Sequence, residues 1–421
     1  MSKQEQRPTM ESLGLRESGL RFPTTNNRIV HFPPDVIRQD ALDTRVVVHG
    51  KFPLLVEQFL AHKRTYGSSI EKQLYGPDWT FSQQVARLLQ KRALSFVGSG
   101  DSTLLRTGQT FAIGDAFWDS VGVEGTPFEI LEEYLTYDEI MLGSLMGVSG
   151  PSYFINAGSR YNRSEIQDLG TFEPRGIIIG LVGARFERPG RMDSNFILAG
   201  DKRKRQHPEL TRIFLDFFGV TKKQDDHIRG FSPSAYFARM RITSDILLLE
   251  ANERAKAVGR KAYVYIVGLG LGVWARDQMQ PSLYIDAFKS TLITLKKKLK
   301  NIGTLDFAWI SPGEESEKQI AHISTAMGIV TKFSKNNPAD LLGLEESRQL
   351  LVVSYAWDGN AFPGNEYWQG SLTASGDPAA ACMSTIAELH NPLVNPNFTQ
   401  RIMVVDSDYE PSKNNVFEIE N

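Results

Sequence analysis

Two kinds of hydrophobic spacing divide the chain near residue 150. From residue 46 to about 145, apolar residues recur at helical intervals, as they do at Leu54, Leu55 and Phe59. Beyond residue 150 the apolar segments are short and continuous, and the one over 176–184 is typical of a strand buried on both faces of a sheet. The spacing therefore predicts a mainly helical region over 41–150, packed on an α/β core over 151–405.

Strands and helices are predicted to alternate in this core. Further apolar segments predict strands over 262–268, 305–310, 329–333, 350–356 and 401–405, and helical spacing predicts helices over 281–300, 315–326 and 378–389. Ser232 followed by Pro233 is typical of the start of a long helix, which is expected to end near residue 258. The alternation predicts an α/β fold with a parallel or mixed sheet covered by helices. Residues 1–40 show no sustained period and are predicted to be a mobile arm.

Composition and charge exclude several classes of protein. The 421 residues include 47 basic and 49 acidic side chains, so the net charge of −2 creates no field that would attract nucleic acid or anionic lipid. No apolar segment approaches the roughly 18 residues of a membrane span. A single cysteine, Cys382, excludes an internal disulfide and a cysteine zinc cluster. We predict no metal and no cofactor, so the chemistry is expected from carboxylates, backbone groups and aromatic rings.

A glycine-rich segment follows the strand predicted over 262–268. Residues 268–274 read Gly-Leu-Gly-Leu-Gly-Val-Trp, and alternating glycines expose backbone N–H groups that can bind a diphosphate. The dinucleotide-binding fingerprint has its third glycine where this chain has Val273, which disfavours a standard NAD-binding fold. A glycine-rich turn that only permits tight packing of strands is the alternative interpretation.

The strongest candidate site is the long loop that follows the strand predicted over 350–356. It carries Asp358, Glu366 and Asp377 among glycine, asparagine and aromatic residues. Ligand sites of open α/β sheets lie beyond the carboxyl ends of the strands, which is where this loop is expected. Carboxylates beside apolar rings can have pKa values that differ enough for one to act as acid or base while another stays ionised.

Each of these side chains also has a structural interpretation. Asp377 directly precedes a proline and suits a helix N-cap, Asp358 precedes a glycine as in a turn, and Glu366 could be a solvated acid. Their joint presence in one aromatic loop favours a functional interpretation. The aromatic side chains that could stack on a base or a ribose are Trp357, Tyr367 and Trp368.

Two other segments carry candidate ligand groups. Residues 151–162 combine Asn156 with glycine and arginine, as a ligand-lining loop does. Arg185, at the end of the strand predicted over 176–184, is expected either to meet a phosphate or to pair with Glu187. Cys382 is most simply a packing residue.

At these loops the sequence resembles the MavL-type effectors of Legionella. The resemblance rests on residues 267–274 and 356–381, is supported by 154–160 and 180–187, and spans roughly 45–405. It implies a macro-domain-like core, related to poly(ADP-ribose) glycohydrolases and carrying helical additions, that binds ADP-ribose. It also implies an ADP-ribosylhydrolase that removes mono-ADP-ribose from a modified protein, with an arginine of ubiquitin as the expected target and a host ubiquitin-pathway protein as a further partner.

The resemblance also assigns site residues. Asp358, Glu366 and Asp377 correspond to three catalytic aspartates of the family, the middle one being a longer acid here and the third displaced by one residue. The glycine and paired-glutamate signature of the glycohydrolases is missing, so poly(ADP-ribose) is not the expected substrate. The residues expected to bind ADP-ribose are Gly268, Leu269, Gly270, Leu271, Gly272, Val273, Trp274, Asn360, Phe362, Asn365, Trp368 and Asn156.

Two hypotheses of different class remain open at this point. Cleavage of an N-glycosidic bond builds positive charge at the anomeric carbon, which a few carboxylates can stabilise without a metal. The alternative is a non-catalytic module that binds ADP-ribose or a host partner, and convergence of the three acids on one site would discriminate against it. The acidic tail over 406–421, with Ile419 third from its end, resembles the signal of type IV-secreted effectors and implies delivery into a host cytoplasm, although an ordinary acidic tail is the alternative.

Overall fold

The computed structural model describes residues 9–98, 100–111, 117–199, 206–220, 227–373 and 375–405, so the acidic tail lies outside the described residues. The described strands are Arg45–His49 (β1), Ser95–Val97 (β2), Ser102–Leu104 (β3), Thr110–Phe111 (β4), Met146–Tyr153 (β5), Arg175–Leu181 (β6), Ala262–Val267 (β7), Ile302–Ala308 (β8), Val330–Ser334 (β9), Leu350–Ala356 (β10) and Ile402–Val405 (β11). The described α-helices are Pro34–Asp43 (α1), Phe52–Tyr66 (α2), Ser69–Leu74 (α3), Phe81–Gln90 (α4), Phe117–Ser120 (α5), Phe128–Glu133 (α6), Tyr137–Gly143 (α7), Ser194–Ile197 (α8), Pro208–Phe218 (α9), Pro233–Ala257 (α10), Gln280–Thr294 (α11), Glu314–Thr325 (α12), Gly376–Met383 (α13) and Ile386–Leu389 (α14).

Within these residues, eight strands form one mixed sheet in the order β11-β1-β5-β6-β10-β7-β8-β9. The five neighbouring strands β6, β10, β7, β8 and β9 run parallel to one another. Strand β5 is antiparallel to both of its neighbours, β1 and β6. Val352, Val264 and Leu305 lie opposite one another on three adjacent strands and are fully buried. Helix α10 packs against these strands, so their continuous apolar character reflects burial on the sheet. The predicted mixed α/β sheet flanked by helices is confirmed.

The sheet extends into the first 150 residues. Strand β1 pairs with both β11 and β5, and Val46, Val47, Val48 and Val148 are fully buried. The structure therefore shows no boundary near residue 150 between a helical region and the core. A strand of five residues between helices is too short to interrupt the helical spacing of its surroundings, which is why the sequence did not reveal it.

Residues 9–43 pack against the body, which contradicts the mobile arm predicted over 1–40. Met10, Leu13, Ile29 and Ile37 are buried in a small apolar cluster that also includes Leu389 and Val394. These apolar residues are separated by irregular intervals, so they produce no period along the sequence. Their partners lie more than 300 residues away, and only the tertiary structure brings them together.

Helix boundaries differ from the sequence predictions where polar residues intervene. The N-cap at Ser232 is confirmed, because its Oγ accepts the Ala235 N–H at 3.2 Å. The helix predicted over 378–389 is divided into α13 and α14, and the one predicted over 281–300 ends at Thr294. Among the described helices, none combines the length and apolar character that a membrane span requires.

Candidate active site

Three loops meet at the carboxyl edge of the parallel strands. We name them the arginine loop (182–193, after β6), the glycine loop (268–274, after β7) and the acid loop (357–377, after β10). Because β6, β10 and β7 are adjacent and parallel, these loops leave the sheet side by side. The sequence prediction that the glycine and acid loops lie beyond the carboxyl ends of strands is therefore confirmed.

The arginine and glycine loops approach each other through their backbones. A Cβ atom at Gly183 would lie 2.5 Å from the Gly270 nitrogen, and one at Gly270 would lie 3.0 Å from the Ala184 carbonyl oxygen. Gly270 also has a φ of +76°, in the left-handed region that favours glycine. Close packing of the two loops, the alternative interpretation of the glycine motif, thus accounts for Gly270.

The far end of the glycine loop is open instead. No atom lies within 4 Å of a Cβ built on Gly272, and Val273 is 89% exposed. The N–H groups of Gly272, Val273 and Trp274 have no acceptor among the described residues. Unpaired backbone N–H groups in a turn can bind an anion, so the diphosphate prediction now rests on residues 272–274.

The three candidate acids act electrostatically on one another. Burial, followed by the charge of Glu366, raises the pKa of Asp358 to about 7. Burial, followed by the charges of Asp358 and Glu366, raises the pKa of Asp377 well above its ordinary value, and burial also raises the pKa of Glu366. Carboxyl groups whose pKa values are raised by burial and by one another's charge can divide the roles of proton donor and proton acceptor between them.

Asp377 is not the helix N-cap that its position before Pro378 suggested. It lies in the first turn of α13, after Ser375 in the cap position, and it is 2% exposed. Its Oδ1 accepts the N–H of Gly364 at 2.9 Å, and its Oδ2 has no partner among the described residues. One oxygen is thus held by the acid loop, and the other is buried in the same place.

Asn365 links the acid loop to the segment around Phe96, which the sequence analysis did not assign to the site. Its Nδ2 donates to the Asp358 carboxylate, and its Oδ1 accepts the N–H of Phe96 at 2.8 Å. Gly364 and Asn365 have φ values of +106° and +37°, so the chain makes a tight turn between Asp358 and Glu366. Asn365 is therefore a residue that positions Asp358.

Arg185 lies beside the acids in the buried part of the arginine loop. Its Nε donates to Glu187 Oε2 and its Nη2 donates to Asp101 Oδ1, both at 3.0 Å, so the predicted pairing with Glu187 is confirmed. The guanidinium charge opposes the rise in the pKa of Asp358. Contact with a phosphate remains a prediction.

The segment over 92–101 is the part of the site that the sequence analysis missed. The guanidinium of Arg185 lies 4.0 Å from the ring centre of Phe96, and the guanidinium of Arg92 lies 4.1 Å from that of Trp357. Arg92 and Phe96 lie more than 250 positions before the acid loop and carry no motif. No local signal could have associated them with it.

The aromatic side chains of the acid loop are buried, which contradicts their expected stacking on a ligand. Trp357 and Trp368 are 1% and 7% exposed, and their indole N–H groups donate to backbone carbonyls of the same loop at 2.8 and 3.0 Å. Tyr367 and Phe362 are fully buried. These rings pack inside the acid loop and support it. The aromatic content of the loop therefore reflects its packing and not a surface for stacking on a ligand.

The two predicted asparagines have different surroundings. Asn360 is fully buried in the acid loop, and neither its Oδ1 nor its Nδ2 has a partner among the described residues. Asn156 follows β5, whose carboxyl end lies at the opposite edge of the sheet, and its amide bonds Gly158 and Glu165 at 2.9 Å. The structure therefore places Asn360 in the acid loop and Asn156 in the segment after β5, and binding of ADP-ribose by either side chain stays a prediction.

Among the described residues, a cavity lies away from the acids, and no cluster is arranged to hold a metal ion. A cavity of about 320 Å³ lies between β1, α9 and α10, and it contains none of the predicted site residues. In the described ranges, no group of three histidine, cysteine or carboxylate side chains is arranged to hold a metal ion. The acids, the glycine loop and Arg185 form the candidate site.

The raised pKa of Asp358 predicts how stability depends on pH. The folded chain keeps a proton up to about pH 7 that the unfolded chain loses near its ordinary pKa of 3.8. This group's contribution to stability is present below the lower value and is lost as the pH rises through the higher one. We expect Asp358→Asn to become steadily more stable relative to the unmodified chain over that interval, as measured by urea unfolding at several pH values. A difference that stays constant with pH would contradict the shifted pKa.

Comparison with known proteins agrees with the chemistry that the interacting acids suggest. A family described as MavL-like ADP-ribosylhydrolases matches residues 15–209 and 216–409. The ADP-ribosylarginine hydrolase CG3568 of Drosophila melanogaster is 36% identical over 405 residues, which cover 86% of this chain and 78% of that protein. The ADP-ribosylarginine hydrolase CG2909 of the same organism is 34% identical over 404 residues, with the same coverage.

Proposed function

This chain belongs to the MavL-like ADP-ribosylhydrolase family, and we propose that it hydrolyses the N-glycosidic bond between ADP-ribose and an arginine of a modified protein. The observation that supports the chemistry is the electrostatic interaction among Asp358, Glu366 and Asp377 in the buried acid loop. The guanidinium of Arg185, which acts on Asp358, lies 5.4 Å from the ring centre of Trp274 at the open end of the glycine loop. The names of the two Drosophila relatives support arginine as the modified residue. The coupled acids favour catalysis over simple binding, because a binding site for a dianionic ligand gains nothing from three carboxylates.

The acids supply the groups that the hydrolysis needs. A water oxygen bonds to the anomeric carbon of the ribose while the bond from that carbon to the arginine nitrogen breaks. One carboxylate accepts the proton of the water, and a carboxylic acid donates a proton to the departing nitrogen. The remaining negative charge stabilises the positive charge that develops on the ribose in the transition state. Because the three groups share their protons, we assign these roles to the set Asp358, Glu366 and Asp377.

The neighbouring loops would hold the rest of ADP-ribose. The N–H groups over 272–274 would bind the diphosphate, while the first half of the glycine loop, 268–271, positions them by packing. The unpaired amide of Asn360 and the free Oδ2 of Asp377 would bind ribose hydroxyl groups, since a buried polar group without a partner is costly. The buried rings of Phe362 and Trp368 would act indirectly, by supporting the loop.

The resemblance implied finer properties that remain predictions. They are a macro-domain-like core, removal of ADP-ribose from ubiquitin, a host ubiquitin-pathway partner and delivery by a type IV system. Family membership does not imply such delivery, because two of the similar proteins come from Drosophila melanogaster. The tail that would carry the signal lies outside the described residues.

A comparison of substrates tests the proposed function. We expect free ADP-ribose to be released from ADP-ribosylated arginine at least about a hundredfold faster than from ADP-ribosylated serine or glutamate. The acids attract the cationic guanidinium of the modified arginine, whereas modified serine and glutamate carry no positive charge at the bond that breaks. The measurement is chromatographic detection of ADP-ribose with peptides that differ only in the modified residue. Arginine-modified ubiquitin, compared with an arginine-modified peptide, tests the protein substrate. Tight binding of ADP-ribose without release from any substrate would favour the non-catalytic module.

A further inference from the structure

Asp101 is a buried acid outside the acid loop. It lies in the turn between β2 and β3, where it has a φ of +53°, and its side chain is 1% exposed. Its Oδ1 accepts the Nη2 of Arg185 at 3.0 Å, and its Oδ2 accepts the hydroxyl of Tyr137. Burial raises the pKa of Asp101, and the charge of Arg185 and the hydrogen bond from Tyr137 oppose that rise, which favours the carboxylate.

The guanidinium of Arg185 is shared by two acids. Its Nη2 donates to Asp101, and its Nε donates to Glu187 Oε2 at 3.0 Å. Among the described residues, Arg185 forms no ion pair with Asp358, and its Nη1 has no partner. The two carboxylates thus occupy two of the three guanidinium nitrogens and compensate its charge.

Phe96 connects Arg185 with Asp358. The guanidinium lies 4.0 Å from the centre of the Phe96 ring, and the Phe96 N–H donates to Asn365, whose Nδ2 donates to Asp358. The charge of Arg185 opposes the rise in the pKa of Asp358, and the charge of Glu187 adds to that rise. A direct ion pair between Arg185 and Asp358 would hold Asp358 in its charged form and remove its proton.

We propose that Asp101 is a positioning residue that keeps the guanidinium of Arg185 out of an ion pair with Asp358, an inference that rests on the proposed function of the acids. The acid loop then keeps a proton that it can donate to the departing nitrogen. The other titratable or charged groups that face these side chains are Tyr137, Arg188 and Asp119 around Asp101, and Glu366 and Asp377 around Asp358.

The pH dependence of stability tests this role without an assay of activity. The gain in stability from Asp358→Asn is expected to grow up to about pH 7 and then to stay constant. In an Asp101→Asn background Arg185 loses a negative partner, so the growth should stop at least about half a pH unit lower. Asparagine has the shape of aspartate and readily adopts a positive φ, so the turn is retained. Urea unfolding of the four chains at several pH values gives both limits.

The pH dependence of the rate should move in the same direction. The pH above which release of ADP-ribose from an arginine-modified peptide declines should fall by a similar amount in Asp101→Asn. Asp119→Asn is the matched control, because Asp119 pairs with Arg188 and Arg191 of the same arginine loop, at 2.6 and 2.8 Å. It removes an acid that anchors the loop without contacting Arg185, so it should move neither pH value.

The two readouts separate this role from the proposed function. An unchanged upper limit of the stability gain in the Asp101→Asn background, or an equal shift in Asp119→Asn, would overturn the assignment of Asp101. A chain that shows the shift in stability but releases ADP-ribose from no substrate would contradict the proposed function, and it would support the electrostatic role of Asp101.

Discussion

Asp358→Asn and Asp377→Asn are each expected to slow the release of ADP-ribose at least about a hundredfold, which corresponds to about 2.7 kcal/mol of activation free energy. An amide has nearly the shape of the acid but can neither carry the charge nor exchange the proton that the reaction needs. The double variant should be little slower than either single variant, because groups that act as one unit lose activity non-additively. The measurement is the initial rate of release from an arginine-modified peptide.

The stability of the same variants separates catalysis from folding. Burial and repulsion raise the pKa values of both acids, which shows that their charged forms are unfavourable in the folded chain. The thermal midpoints of the variants should therefore be unchanged or higher near neutral pH. Asp78→Asn, at an exposed acid far from the acid loop in sequence, is the control and should alter neither quantity. Near-normal rates in both active-site variants would exclude these acids as the catalytic set.

Gly183→Ala is expected to lower the free energy of unfolding by about 3 kcal/mol and to reduce activity with it. The added Cβ would lie 2.5 Å from the Gly270 nitrogen and 2.5 Å from the Leu269 carbonyl carbon, and backbone atoms cannot move aside as a flexible side chain can. The two loops would separate, and the glycine loop would lose its position beside the acids. Chemical unfolding followed by circular dichroism measures the change.

Gly272→Ala is the matched control for this experiment. It adds the same methyl group to the open end of the glycine loop, where no atom lies within 4 Å of the new Cβ. Its stability should stay within about 0.5 kcal/mol of the unmodified chain, as is usual for exposed sites. Equal stability of Gly183→Ala and Gly272→Ala would show that the arginine and glycine loops are not in close contact.

The glycine motif illustrates how far a sequence interpretation extends. Alternating glycines predicted either exposed N–H groups or tight packing, and the structure divides the two roles along the loop. Gly270 is required by its positive φ and the nearby Ala184 carbonyl, while Gly272 and Val273 are open. The sequence could not separate these roles, because the atoms that contact Gly270 belong to the loop after another strand.

The sequence by itself determined the strands of the parallel core and the position of the acids after one of them. Both properties are local in the sequence. A continuous apolar segment predicts a buried strand. Asp358 lies two residues after β10 along the chain, so its place at the end of that strand follows from the covalent connection. The tertiary structure alone decided that β1 and β5 join the sheet, that Asp377 accepts the Gly364 N–H instead of capping its helix, and that Arg185 pairs with Asp101. Each of these depends on contacts between segments that are distant in sequence or on the exact course of a loop. The pKa values of the acids follow from the same contacts, because burial and neighbouring charge exist only once the chain has folded.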